Sequence, residues 1–173
     1  MANLENKTDA DIDQWIANHE RAGKTRSTLY QELIVDRNRR HGKGLDLATS
    51  IAALTKSAKE KRYISYGDLA AANGLTWSKA RLRMNGKHGH LDDILAYCHS
   101  HEMPLLTAIV VGKNHLDSGE MDEETVNGFV AGIRRLGVSV PEPAAFLKQC
   151  QSECFEWAAK QDDAPDAPDA VEE

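Results

Sequence analysis

Apolar positions recur at three- and four-residue spacing along most of the chain, which predicts a mainly α-helical protein with a small β element. Ile12, Trp15 and Ile16 mark a first helix, with Thr8 or Asp9 as its cap and Gly23 as its stop. Leu29, Tyr30, Leu33 and Ile34 mark a second, which Ser27 can cap. Leu47, Ile51, Leu54 and Ala58 place a third over 45–61. Two short helices follow, over 66–73 and 77–84, with Gly74 between them and Thr76 as the second cap. Longer ones are expected over 91–102, 122–136 and 142–160, the first stopped by Pro104. The run LLTAIVV (105–111) is the one segment that reads as a strand, being short, apolar and β-branched. Its partner is expected at 62–65 or at 113–120.

The pair of short helices has the pattern of a helix–turn–helix. Ala70 and Ala71 let a second helix cross closely, Gly74 tolerates positive φ, and Leu75 can plug the turn. On the second helix Trp77, Ala80 and Met84 fall on one face and are expected to be inward. Ser78, Lys79, Arg81 and Arg83 fall on the other, and Lys87, His88 and His90 follow. Between Trp77 and His90 there are four Lys/Arg and no acid. Arginine suits bidentate contact with guanine and phosphate, and lysine suits phosphate.

Composition changes this picture only through its distribution. The 173 residues carry a net charge of −6, which taken alone argues against a polyanion partner. Residues 1–20 balance to −4, however, residues 21–87 to +10, and residues 88–173 to −12. The basic block contains the helix–turn–helix. Arg37, Arg39, Arg40, Lys59, Lys61 and Arg62 are expected to add phosphate contacts wherever they share its side. The expected organisation is an N-terminal helical segment (1–61), a winged-helix-like core (62–120), a C-terminal helical pair (121–160) and a disordered acidic tail (161–173).

YGDLA (66–70), Gly74, Ala80-Arg81, Pro104 and TAIVV together resemble the winged-helix domain of the O6-alkylguanine DNA alkyltransferases and alkyltransferase-like proteins. The resemblance covers residues 64–119. In that family a Tyr of the YGDLA-like motif rotates the 3′ phosphate, and an Arg on the recognition helix fills the space left by a flipped base. Tyr66 and Arg81 stand at the matching positions. The family's PCHRV segment with its reactive Cys has no counterpart, and Thr107 falls roughly where the Cys would be. The resemblance therefore implies a DNA-binding shape without alkyl transfer.

Other chemistry is thinly represented. Cys98, Cys150 and Cys154 are odd in number and form no CxxC pair, so they read as core residues. Cys98 and His101, three apart, share a helix face, and with His88 or His90 they make the one zinc set that spacing allows. The plainer reading is surface and loop histidines beside a basic patch, gaining charge below about pH 6.5. Asp92 and Asp93 are adjacent and point apart, a poor start for a metal nuclease. No P-loop, dinucleotide fingerprint or nucleophile elbow is present, and no cofactor or metal is expected. No run of 18 apolar residues exists, and the acidic, polar N-terminus is no signal peptide, so a cytoplasmic protein without a membrane partner is expected.

The reading is a non-catalytic, double-stranded-DNA-binding protein of bacterial or phage DNA transactions, in regulation, defence or lesion marking. Tyr66, Thr76, Ser78, Lys79, Arg81, Arg83, Lys87 and His88 would form its interface. The alternative is a protein–protein interaction module, an adaptor or inhibitor, with a structural hairpin and a charge-polarised surface. Self-association through the acidic C-terminal half is a further expectation.

Overall fold

Each predicted helix forms, and five of them begin at a side-chain cap, of which Thr8 and Ser27 were expected. In a computed structural model, which describes residues 2–162, α1 spans Asp9–Arg21. The Thr8 hydroxyl accepts from the Asp11 amide at 3.1 Å and the Asp11 carboxylate accepts from the Thr8 amide at 2.9 Å, a reciprocal capping box. Ser27 caps α2 (Thr28–His41), Asp46 caps α3 (Leu47–Lys59), Ser65 caps α4 (Tyr66–Ala72) and Asp122 caps α7 (Glu123–Arg135). The remaining helices are α5 (Trp77–Met84), α6 (His90–Ser100) and α8 (Pro143–Asp162). Among the described residues no helix is long and apolar enough to cross a membrane. The tail expected to be disordered from 161 lies almost wholly outside the described residues, though α8 runs on through its first two positions.

Two buried clusters meet on α6. The larger gathers Leu54 of α3, Leu69 of α4, Met84 of α5, Ile94 and Cys98 of α6, and Cys154 of α8. The second joins α1 and α2 to α6 and α7 through Ile12, Ile16, Tyr30, Leu33, Leu95 and Ile133. α6 thus buries opposite sides in both, Ile94 and Cys98 in one, Leu95 and Ala96 in the other. All three cysteines are buried and unbridged. Burial pushes the Cys98 and Cys150 thiols up to about 12 and Cys154 up as well, so they pack as small apolar groups.

The expected strand over 105–111 is mostly not a strand. Leu106–Ile109 is a 3₁₀ turn, and only Val110–Val111 (β2) is extended. β2 pairs in parallel with Ile64–Ser65 (β1), in the register Ile64 with Val110 and Ser65 with Val111. The sheet is short because Ser65 leaves it at once to cap α4. Leu106, Ala108 and Ile109 are all fully enclosed, so the run lacks the alternation that would separate a strand from another buried segment. The partner expected at 62–65 is the one found.

α8 braces the loop that follows β2. The buried Gln151 amide donates to Ala108 O at 3.0 Å and to Gly119 O at 2.8 Å. Gly119 has φ +70°, and a Cβ there would lie 2.2 Å from Cζ of Tyr63. Gly119→Ala is therefore expected to destabilise the fold by about 2 kcal/mol, from left-handed strain plus crowding of the Tyr63 ring. Urea denaturation measures this, and an unchanged midpoint would contradict the packing described.

Candidate nucleic-acid interface

The α4–α5 hairpin holds together as its residues require. The Leu75 amide donates to Ala70 O at 3.0 Å, Gly74 turns at φ +74°, and Leu69, Ala70, Ala80 and Met84 are buried. Trp77 departs from expectation, being 38% exposed rather than inward, with its ring 5.9 Å from that of Tyr66. Ala80 and Met84 join the larger core, and Trp77 does not.

The outward face of α5 matches the sequence pattern. Thr76, Ser78, Lys79 and Arg81 are exposed, Arg83 is half-buried, and Lys87 is exposed in the loop after the helix. The Thr76 and Ser78 hydroxyls lie 3.1 Å apart, and Thr76 makes no capping bond to the α5 backbone. Among the described residues Lys79, Arg81, Arg83 and Lys87 form no ion pair. Leu82, between the two arginines, is 83% exposed.

The cations of α2 behave differently. Arg37 is 3% exposed and sealed against Asp93, with Nη2 2.7 Å and Nε 2.8 Å from Oδ1. It cannot reach a phosphate. Arg40 is spent on Asp36 at 2.7 Å, Asp9 at 3.0 Å and the carbonyls of Leu4 and Lys7. Arg39 is exposed and paired with Asp36, and Arg62 is exposed and paired with Glu60. Lys59 and Lys61 are exposed at the end of α3. The run DRNRR looked like a basic surface, yet Arg37 and Asn38 continue the stripe of Tyr30, Leu33 and Ile34 at helical spacing. That spacing was the overlooked signal of burial.

The histidines split in the same way. His88 Nδ1 accepts from Arg37 Nη1 at 2.8 Å, and burial followed by the Arg37 charge pulls its pKa down. His88 is therefore harder to protonate than a free imidazole, and its Nδ1 is occupied by Arg37, so it adds less charge to the patch than expected. His90 is buried, with Nε2 2.7 Å from Ser50 Oγ and Nδ1 2.8 Å from the Asn38 side-chain amide. Cys98 is in the core and His101 stacks on Tyr97 at 4.0 Å, so the zinc set does not assemble. Among the described residues no group of three or more His, Cys, Asp or Glu side chains is arranged to hold a metal ion. Asp92 and Asp93 serve different partners, Arg135 at 2.6 Å and Arg37 at 2.7 Å.

A cleft links the ends of α2 and α5, since His41, Leu82, Arg83, Lys87 and His88 line it together. A larger cavity of about 610 Å³ opens between Tyr66, the loop after α5, α6, the 3₁₀ turn and α7. Burial pushes the Tyr66 phenol above its ordinary range; a hydrogen bond with Thr125 pulls back and the Asp122 charge adds to the rise. That α7 forms a cavity wall has no signal in its own residues. Compared with known proteins, the chain matches no family model, no curated protein and no solved structure.

Proposed function

We propose that the protein binds double-stranded DNA without catalysing a reaction on it, through the outward face of α5. One observation carries this reading: the cations of α2 are neutralised by carboxylates, whereas Lys79, Arg81, Arg83 and Lys87 on and after α5 form no ion pair among the described residues. Four cations on one short segment, three exposed and Arg83 half-buried, suit phosphate and base-edge contact. Tyr66, Thr76 and Ser78 add hydroxyls at the same hairpin. Winged-helix architecture, a setting in bacterial or phage regulation, defence or lesion marking, and a cytoplasmic location belong to this proposal.

The test is a duplex titration at several salt concentrations. Each phosphate contact contributes about 0.9 to the slope of log K against log[salt]. Arg81→Ala/Arg83→Ala is expected to flatten the slope by about two and to weaken binding at every salt concentration. Absence of binding at about 50 mM salt would refute the proposal, and an unchanged slope in the variant would move the interface elsewhere.

A second reading is favoured by the 83% exposed Leu82 and the 38% exposed Trp77. An exposed apolar pair on a basic helix also suits a protein partner carrying an acidic, partly apolar surface. Under that reading Leu82→Ala abolishes partner binding while no DNA binding is found.

A further inference from the structure

We infer that the 610 Å³ cavity is a binding site for a small, neutral, largely apolar molecule carrying one hydroxyl or comparable hydrogen-bonding group. The size is that of an ordinary small-molecule site. Its walls are mainly apolar, with Leu91 and Leu95 of α6, Val110 of β2, and Met121 and Phe129 facing a shared space. Its charged lining residues are Lys87, Asp92, Glu124 and Arg135, two of each sign, and Asp92 and Arg135 neutralise each other at 2.6 Å. A charged ligand would have no net counter-charge there; a neutral one meets no penalty.

Thr107 supplies the second, independent observation. It lines the cavity, is 6% exposed, and its Oγ1 is the one buried side-chain polar atom among the described residues without a hydrogen-bond partner. An enclosed hydroxyl left unpaired is costly, and native structures rarely keep one without use. Turned about χ1 toward the cavity it lines, Thr107 offers Oγ1 to a ligand hydroxyl, which relieves that cost while the ligand's apolar body lies against the wall. α7 leaves the space open, since a Cβ added at Gly128 meets no atom within 4 Å. The inference does not rest on DNA binding.

The test uses 2-naphthol and naphthalene, which share a skeleton and differ in one hydroxyl, followed by their own fluorescence anisotropy. Wild type is expected to bind 2-naphthol about five- to tenfold more tightly than naphthalene, the factor one hydrogen bond supplies. Thr107→Val should remove that preference while keeping naphthalene binding, and Thr107→Ser should retain it. Gly128→Leu, which fills the cavity, should weaken both. Thr107→Val without ligand should melt higher than wild type, because an unpaired buried hydroxyl has been removed. Failure of both probes to bind would overturn the inference, as would a preference that survives Thr107→Val or binding untouched by Gly128→Leu. A lower melting point for Thr107→Val would assign the hydroxyl to the fold instead of to a ligand.

Discussion

Arg37→Ala is expected to destabilise the protein by about 3–5 kcal/mol, the cost of leaving a buried carboxylate without its counter-charge. Both side chains of the Arg37–Asp93 pair are 3% exposed, and two nitrogens of the guanidinium meet one carboxylate oxygen. The Asn38 amide donates to the other oxygen at 3.3 Å, and the third guanidinium nitrogen reaches His88. Removing arginine therefore strands Asp93 and frees the loop that carries Lys87 and His88. Arg39→Ala, two residues along the same helix, removes an exposed arginine from an Asp36 that Arg40 still holds at 2.7 Å, and should cost no more than about 1 kcal/mol. Arg37→Met/Asp93→Leu removes both charges together and should recover most of the loss, because apolar packing replaces an ion pair that was costly to desolvate. Guanidinium denaturation of the four proteins provides the comparison. A loss below about 1 kcal/mol for Arg37→Ala would mean that water reaches Asp93 and that the pair is not sealed.

The helices were legible because periodicity and capping are local. Thr8 and Ser27 cap as expected, each accepting a backbone amide three residues on; Asp46, Ser65 and Asp122 do the same where no cap was expected, and Thr76, expected to cap, does not. The exposed cations of α5 were legible for a similar reason, since Ala80 and Met84 define the buried side and the rest follows by geometry. What was not legible depends on partners distant in sequence. The spacing of Arg37 places it on the buried stripe of α2, but its counter-charge Asp93 lies far along the chain, as do the Ser50 and Asn38 partners that enclose His90. Residues 105–111 carry strand composition, but the two-residue β1 offers nothing longer to pair with. The cavity is assembled from four separate segments, so no single stretch announces it.

The same buried network predicts how the fold responds to acid. Burial pulls the His90 pKa down to about 4, with the Asp46 charge acting weakly the other way. The hydrogen bonds agree with a neutral ring, because the Asn38 amide donates to Nδ1, and Nε2 must then carry the proton and donate to Ser50. A second proton on Nδ1 would face the Asn38 N–H. Unfolded His90 takes up a proton near pH 6.5, while the folded ring resists until about pH 4. Its contribution to stability is complete above pH 6.5 and is lost as pH falls toward 4, about 3 kcal/mol in all. Asp93 acts oppositely. Burial pushes its carboxyl up to about 6, against the pull of Arg37 and Asn38, so the folded chain binds that proton first and gains stability on acidification from 6 toward 4. The lowered His88 and His99 add to the loss. The wild-type profile should therefore decline only gently below pH 6.5. His90→Gln removes the largest loss and should make stability level or rising between pH 6 and 4. Asp93→Asn removes the opposing gain and should steepen the decline to about 3 kcal/mol over pH 6.5 to 4, from a lower starting value. Denaturation midpoints across pH 4–7.5 read these slopes directly, and three parallel profiles would show that neither group titrates inside the fold.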